Sequence, residues 1–283
     1  MILAENLTKR FGDRVAVDHI NFEIPTGQVV GFLGPNGAGK TTTMRLLSAY
    51  LTADEGHCEL MGMRVDQEPL AVRRRLGYLP EDNPLYEDLE VTDSLHLVGR
   101  LRGMTDASAR AARVKAVVKS CGLRKEVGSK VGELSKGYGQ RLGPAQAIIH
   151  DPEILILDEP TSGLDPNQVL EVRDLIRRLG AKKTVLLSTH ILPEATATCD
   201  RVIIINAGKI AADGTPQDLA GSLADKNRLH VEIKGPADAV ERALGALPGA
   251  ARILKSATED SFVVESAAGT DLREGLFRLA AAN

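Results

Sequence analysis

The stretch Gly34-Pro35-Asn36-Gly37-Ala38-Gly39-Lys40-Thr41 fills every fixed position of the phosphate-binding pattern G-x-x-x-x-G-K-[ST]. It follows the apolar run Val29-Val30-Gly31-Phe32-Leu33 and precedes a helix-like run from Thr41 to Tyr50. That strand–loop–helix setting is what gives the pattern chemical meaning. Glycines let successive backbone N–H groups turn inward onto phosphate oxygens, and the start of a helix adds partial positive charge. The cradle then runs from Gly34 through Pro35, Asn36, Gly37, Ala38, Gly39 and Lys40 to Thr41 and Thr42. Lys40 reaches the β- and γ-phosphates, and the Thr41 hydroxyl holds Mg²⁺. A glycine-rich turn that binds nothing is the plainer reading, and the Lys-Thr pair in register behind a strand argues against it. The chain is expected to bind a nucleoside triphosphate.

The segments around this loop read as an α/β core. Ile154-Leu155-Ile156-Leu157 is uniformly apolar, as strands buried on both faces of a parallel sheet are. Further strands fit Cys58 to Met61, Leu76 to Leu79, Thr184 to Ser188 and Val202 to Asn206, with a helix from about Asn167 to Leu179. Strands alternating with helices indicate a parallel sheet. Ahead of the loop, Ile2 to Lys9 and Val15 to Ile24 read as an antiparallel pair turning at Gly12-Asp13. One long helical stretch is expected from about Val91 to Ile149, with Val114, Val117, Val118 and Cys121 as a core-facing stripe. Past Gly221 the pattern changes to β-α-β-β-α in a small α+β unit covering 221–283, and nothing in it has a catalytic spacing.

Composition excludes several classes. A net charge of −3 gives no electrostatic footprint for nucleic acid, and 3% aromatics with no Trp leaves no base-stacking platform. Cys58, Cys121 and Cys199 stand far apart without metal-ligand spacing, so buried reduced thiols are expected. No apolar run is long enough to span a bilayer, and the start Met1-Ile2-Leu3-Ala4-Glu5-Asn6 has no basic region ahead of an apolar core. A cytosolic location is the expectation.

Two further segments carry chemistry. Asp158-Glu159 end the Ile154–Leu157 strand, where parallel sheets open onto their ligands. Beside a phosphate loop Asp158 becomes a Mg²⁺ partner, direct or through water, and Glu159 is placed to take a proton from an attacking water. Leu134-Ser135-Lys136-Gly137-Tyr138-Gly139-Gln140-Arg141 begins a helix with Ser135 as its expected N-cap, whose first amides are unpaired donors.

Taken together, these segments resemble the ATP-binding subunits of ABC transporters over about residues 1 to 220. Gly34–Thr41 is similar to the Walker A loop, Ile154–Glu159 to the Walker B strand, and Leu134–Arg141 to the signature LSGGQ-x-QR with Lys136 and Tyr138 as departures. Ser162-Gly163-Leu164-Asp165 resembles the D-loop, and Ser188-Thr189-His190 the switch histidine. The wording around Tyr78-Leu79-Pro80-Glu81 is most similar to exporters of the gliding-motility and drug-resistance branch.

The resemblance implies a P-loop NTPase core with an antiparallel β subdomain and a helical subdomain over about residues 83–150. It implies ATP and Mg²⁺ held between two copies, with Ser135 and Gly137 of one copy meeting the γ-phosphate held by Lys40 of the other. Glu159 would be the base, His190 would bond the γ-phosphate, and Phe11 would stack on adenine, although Phe11 also fits a packed core aromatic. A separate transmembrane permease would be the partner, with the ATPase peripheral on the cytoplasmic face.

Glu81 stands where the family usually carries glutamine. Its carboxylate can still ligate Mg²⁺ but adds charge beside the triphosphate. Pro144 falls inside the helix that Ser135 starts and removes one backbone bond there. A related ATPase acting on nucleic acid or the ribosome is the alternative. The stretch from Glu81 to Leu134 is too short for the coiled-coil arm of a repair clamp, and one ATPase half is present where a translation-type relative needs two. A GTP switch lacks its guanine-reading Asn-Lys-x-Asp.

Overall fold

A computed structural model describes residues 1–219, 228–255, 260–266 and 270–282. The chain divides into two units, Met1–Pro216 and Gln217–Asn283.

In the first unit, β1 (Ile2–Phe11), β2 (Arg14–Ile24), β4 (Glu55–Leu60) and β5 (Met63–Arg64) form an antiparallel sheet in the order β2-β1-β4-β5. A second sheet joins β3 (Val29–Leu33), β6 (Leu76–Leu79), β7 (Ile154–Leu157), β8 (Thr184–Thr189), β9 (Arg201–Asn206) and β10 (Lys209–Gly214) in the order β10-β9-β3-β8-β7-β6. Its neighbours pair in parallel except β10, which turns back antiparallel on β9. β3 and β7 are buried at every residue, which is why they read as unbroken apolar runs. The two sheets share one core, in which the rings of Phe22 and Phe32 meet at 5.8 Å and 52°.

Helix α1 (Lys40–Leu47) follows β3, and α2 (Pro69–Arg75) precedes β6. The expected long helix over Val91–Ile149 is instead α3 (Val91–Leu101), α4 (Ala107–Ser120) and α5 (Lys136–Ile148), with short 3-10 turns at Arg124–Glu126 and Val131–Glu133. The breaks have local causes. Gly103 and Gly122 sit at φ +90 and +70 just past α3 and α4, in a region where glycine alone escapes the Cβ penalty. Asp106 caps α4 by accepting from the amides of Ser108 and Ala109 at 2.7 and 3.1 Å. Helix α5 runs on through Pro144, whose ring nitrogen cannot donate to the Gln140 carbonyl. Helices α6 (Pro166–Gly180) and α7 (Leu192–Thr198) complete the unit.

The second unit pairs β11 (Arg228–Glu232), β12 (Ala250–Lys255) and β13 (Ser261–Ser266) antiparallel in the order β11-β13-β12, with helices α8 (Ala237–Gly245) and α9 (Arg273–Ala282). Its own small core gathers Val240, Leu244, Phe262, Val264 and Leu272. Among the described residues no helix is long and apolar enough to cross a membrane. All three cysteines are buried and free, and burial pushes the Cys58 and Cys199 thiols up to about 12 and that of Cys121 to about 11. They are inert packing residues.

Candidate active site

β3 ends where the chain must turn sharply into α1, and two glycines make that turn. Gly37 and Gly39 hold φ of +79 and +110, and a side chain at Gly39 would lie 2.5 Å from the Ala16 carbonyl oxygen. Lys40, first residue of α1, is folded back over the loop. Its Nζ donates to the carbonyl oxygens of Gly34 and Pro35 at 2.9 and 3.4 Å and stands 3.2 Å from Glu159 Oε1.

On the neighbouring strands, the register of β7 with β8 sets Leu157 opposite Leu187, so Asp158 and Ser188 come next on each side. Asp158 Oδ1 accepts from the Ser188 hydroxyl at 2.5 Å, whereas Asp158 Oδ2 is buried without a hydrogen-bond partner. Burial pushes the Asp158 carboxyl above its ordinary value, and the nearby charges of Glu81 and Glu159 push the same way against the Ser188 and Thr41 hydroxyls. Glu159 turns through a left-handed backbone at φ +48, which brings its Oε2 to 3.0 Å from His190 Nδ1. Glu81 reaches in from beyond β6, where its Oε2 accepts from the Thr41 hydroxyl at 3.4 Å.

A cavity of about 400 Å³ is lined by Asn36, Gly37, Gly39, Lys40, Thr41 and Thr42 of the loop and α1, with Phe11, Glu81 and Glu159 around them, whereas Asp158 and His190 do not line it. Phe11 is 49% exposed at the rim, beneath Lys9 Nζ at 5.8 Å, so the core-aromatic reading of this side chain fails. Arg14 and Ala16 also line the cavity, and Arg14 donates to the Gly37 carbonyl at 3.2 Å. Sequence reasoning did not single out Arg14, and nothing in its local pattern marks it. Ser188 entered only as a neighbour of His190; its signal is a polar residue interrupting the apolar run of β8.

Ser135 and Gly137 are not brought to this cavity. Ser135 occupies the N-cap position of α5, but its hydroxyl makes no capping bond, contrary to expectation. It lines a different cleft with Glu81, Asn83 and Lys136. The side chain of Gln168 closes over Gly137. Asp165 caps α6, accepting from the amides of Asn167 and Gln168 at 3.0 and 2.9 Å.

These residues fit Mg²⁺ held jointly with a triphosphate. Asp158 Oδ2 is a buried carboxylate oxygen awaiting a partner, and Thr41 and Glu81 supply oxygens beside it. Among the described residues no three His, Cys, Asp or Glu side chains gather into a cage.

Residues 17–162 match the ABC transporter family. A relative from Burkholderia lata, the Nod factor export ATP-binding protein I, is 40% identical over 84% of this chain and 77% of its own. A solved ATP-binding subunit of an ABC transporter superposes with a TM-score of 0.71 at 28% identity, covering 79% of this chain and 93% of that one. A dimeric ATP-binding cassette in a post-hydrolysis state with ADP and Pi superposes at 0.70 with 25% identity, covering 76% and 99%. The family match over residues 17–162 and the relative aligned over 84% of the chain agree with the loop that folds Lys40 onto Glu159: the chain belongs to the ABC transporter family and is one of its ATP-binding proteins, an ATPase.

Proposed function

We propose that this chain powers a membrane exporter, hydrolysing ATP sandwiched between two ATPase subunits on the cytoplasmic face while a separate transmembrane permease carries the substrate. The observation that carries ATP hydrolysis in this reading is Glu159, buried between Lys40 and His190 at the phosphate cavity. Export is supported by the name of the Burkholderia lata relative, and pairing of subunits by the dimeric structural neighbour.

In the proposed reaction Lys40 leaves Glu159 for the β- and γ-phosphates, and the loop amides from Gly37 to Thr42 bind the phosphate oxygens. Thr41, Asp158 and Glu81 would hold Mg²⁺, which when bound offsets phosphate charge. Glu159 accepts a proton from a water whose oxygen bonds to the γ-phosphorus, as the bond from that phosphorus to the β–γ bridging oxygen breaks and ADP departs with the electron pair. His190, 46% exposed, has room to turn and donate to the γ-phosphate. Phe11 offers adenine a ring face at the rim. Ser135 and Gly137 complete the site of the partner copy, for which Gln168 must first withdraw from Gly137.

The test is isolation of the chain from its native membranes followed by ATPase assay with and without the copurified membrane protein. Recovery with a polytopic membrane protein that changes its ATPase rate is the expected result. Recovery with ribosomes or nucleic acid instead would replace the transport reading.

A further inference from the structure

Ser188 is a polar residue at the end of the apolar run Val185-Leu186-Leu187, and it is 0% exposed. Its hydroxyl donates to Asp158 Oδ1 at 2.5 Å and accepts from the backbone N–H of Glu159 at 2.9 Å. A hydroxyl has one proton and two lone pairs, so both bonds coexist with the proton directed at Asp158. Two consequences follow for the acids on either side of the Asp158–Glu159 peptide. Oδ1 of Asp158 is tied to Ser188, whereas Oδ2 is buried without a partner. The Glu159 amide is anchored where the backbone turns through φ +48, a conformation that residues with a Cβ adopt only when their surroundings hold them there. That turn is what returns the Glu159 carboxylate to Lys40 and His190. An apolar residue at 188, like Val185 to Leu187, would leave both partners buried and unpaired.

We propose that Ser188 is a positioning residue for hydrolysis: its hydroxyl selects the oxygen of Asp158 that meets Mg²⁺ and fixes the direction from which Glu159 addresses water. The inference rests on the ATPase reading above and extends it to a residue that does not line the phosphate cavity.

The full-length chain is compared with Ser188→Ala, Ser188→Thr and Ser188→Cys. Steady-state kinetics are combined with equilibrium binding of a fluorescent ATP analogue, once in EDTA and once in Mg²⁺. Loss of the hydroxyl in Ser188→Ala is expected to lower kcat on the order of tenfold with KM within about twofold, the signature of an interaction that matters in the transition state. The gain in nucleotide affinity on adding Mg²⁺ should shrink by roughly threefold or more, while affinity in EDTA stays at the wild-type value. Ser188→Thr retains the hydroxyl and should stay within about twofold of wild type on both measures, and Ser188→Cys, with its weaker donor, should fall between. A serine that only stabilised the sheet would lower the active fraction without moving the Mg²⁺ increment.

A folded Ser188→Ala with wild-type kcat and Mg²⁺ increment overturns the proposal, as does Ser188→Thr impaired as badly as Ser188→Ala. Should Ser188→Ala fail to fold, the other two variants decide: cysteine below threonine on the Mg²⁺ increment supports the role, and equality overturns it. A wild-type chain that neither binds nor hydrolyses ATP would bring down the underlying reading and this proposal with it, an outcome distinct from any Ser188 result.

Discussion

Lys40 Nζ lies 3.2 Å from Glu159 Oε1, with each side chain only 6% exposed, so the residue proposed to grip phosphate is paired with the residue proposed to act as base. A buried pair of this kind is costly to break from one side, because the remaining charge is left without compensation. In the proposed reaction nucleotide entry breaks it, and the phosphates replace Glu159 as the counter-charge of Lys40. Glu159→Gln is therefore expected to lower turnover by about two to four orders of magnitude, the usual worth of a general base. The same change frees Lys40, so ATP affinity should rise by roughly fivefold, equivalent to about 1 kcal/mol. Calorimetry and size-exclusion chromatography with ATP should show tighter binding and an accumulated ATP-bound dimer. Near-normal turnover would remove Glu159 from the role of base.

Ser135 lines a cleft other than the Lys40 cavity, and in the proposed function it completes the site of a partner copy. Specific activity is expected to climb with protein concentration as subunits pair. Mixing Lys40→Ala with Ser135→Arg subunits should restore no more than one composite site per heterodimer. Turnover per chain that stays flat down to dilutions where only monomer exists would show that a single copy suffices.

Glu81 places a carboxylate 3.4 Å from the Thr41 hydroxyl and adds to the negative charge around Asp158. Without Mg²⁺ that charge opposes the triphosphate; with Mg²⁺ it is neutralised. Glu81→Gln should strengthen ATP binding in EDTA and shrink the benefit of added Mg²⁺. Parallel titrations of a fluorescent nucleotide in both conditions check this. Identical curves for variant and wild type would mean that Glu81 does not sense the phosphates.

His150 is a pH-sensitive point away from the cavity. Burial, followed by the charges of Arg102, Lys183 and Arg113, pushes its imidazole down to about 4, and its Nε2 lies 3.1 Å from the Leu76 carbonyl oxygen. The neutral ring suits the folded state, so its contribution is complete above the unfolded value of about 6.5 and is lost as pH falls from there towards about 4. The loss is bounded by about 3 kcal/mol and is smaller in practice because solvent reaches part of the ring. Chemical denaturation between pH 7 and 4.5 should show His150→Gln losing less stability than wild type over the same interval. Parallel losses would assign the acid sensitivity to other groups.

The phosphate loop Gly34–Thr42, the acids Asp158 and Glu159, and the alternation of apolar strands with helices were legible in the sequence because each depends on chemistry confined to a few neighbouring residues. Glycine at a left-handed turn, a lysine and a hydroxyl after it, or an apolar strand ending in carboxylates keep their meaning in any surroundings. Other features arise between residues far apart in the chain. Strand order brings β7 beside β8, and that alone joins Ser188 to Asp158 and Glu159. Chain return after β6 sets Glu81 against Thr41, and the course of the loop, not its composition, folds Lys40 onto Glu159. Ser135 shows the converse: its residue type and place signalled a cap, yet its hydroxyl caps nothing. The division of Val91–Ile149 into three helices had local signals instead, in Gly103, Gly122 and the cap Asp106, which the helical periodicity of the stretch outweighed. Local pattern set residue type, period and element, while pairing across the sheet, burial and the partner of each charge belonged to tertiary structure, since they depend on distances that no sequence spacing encodes.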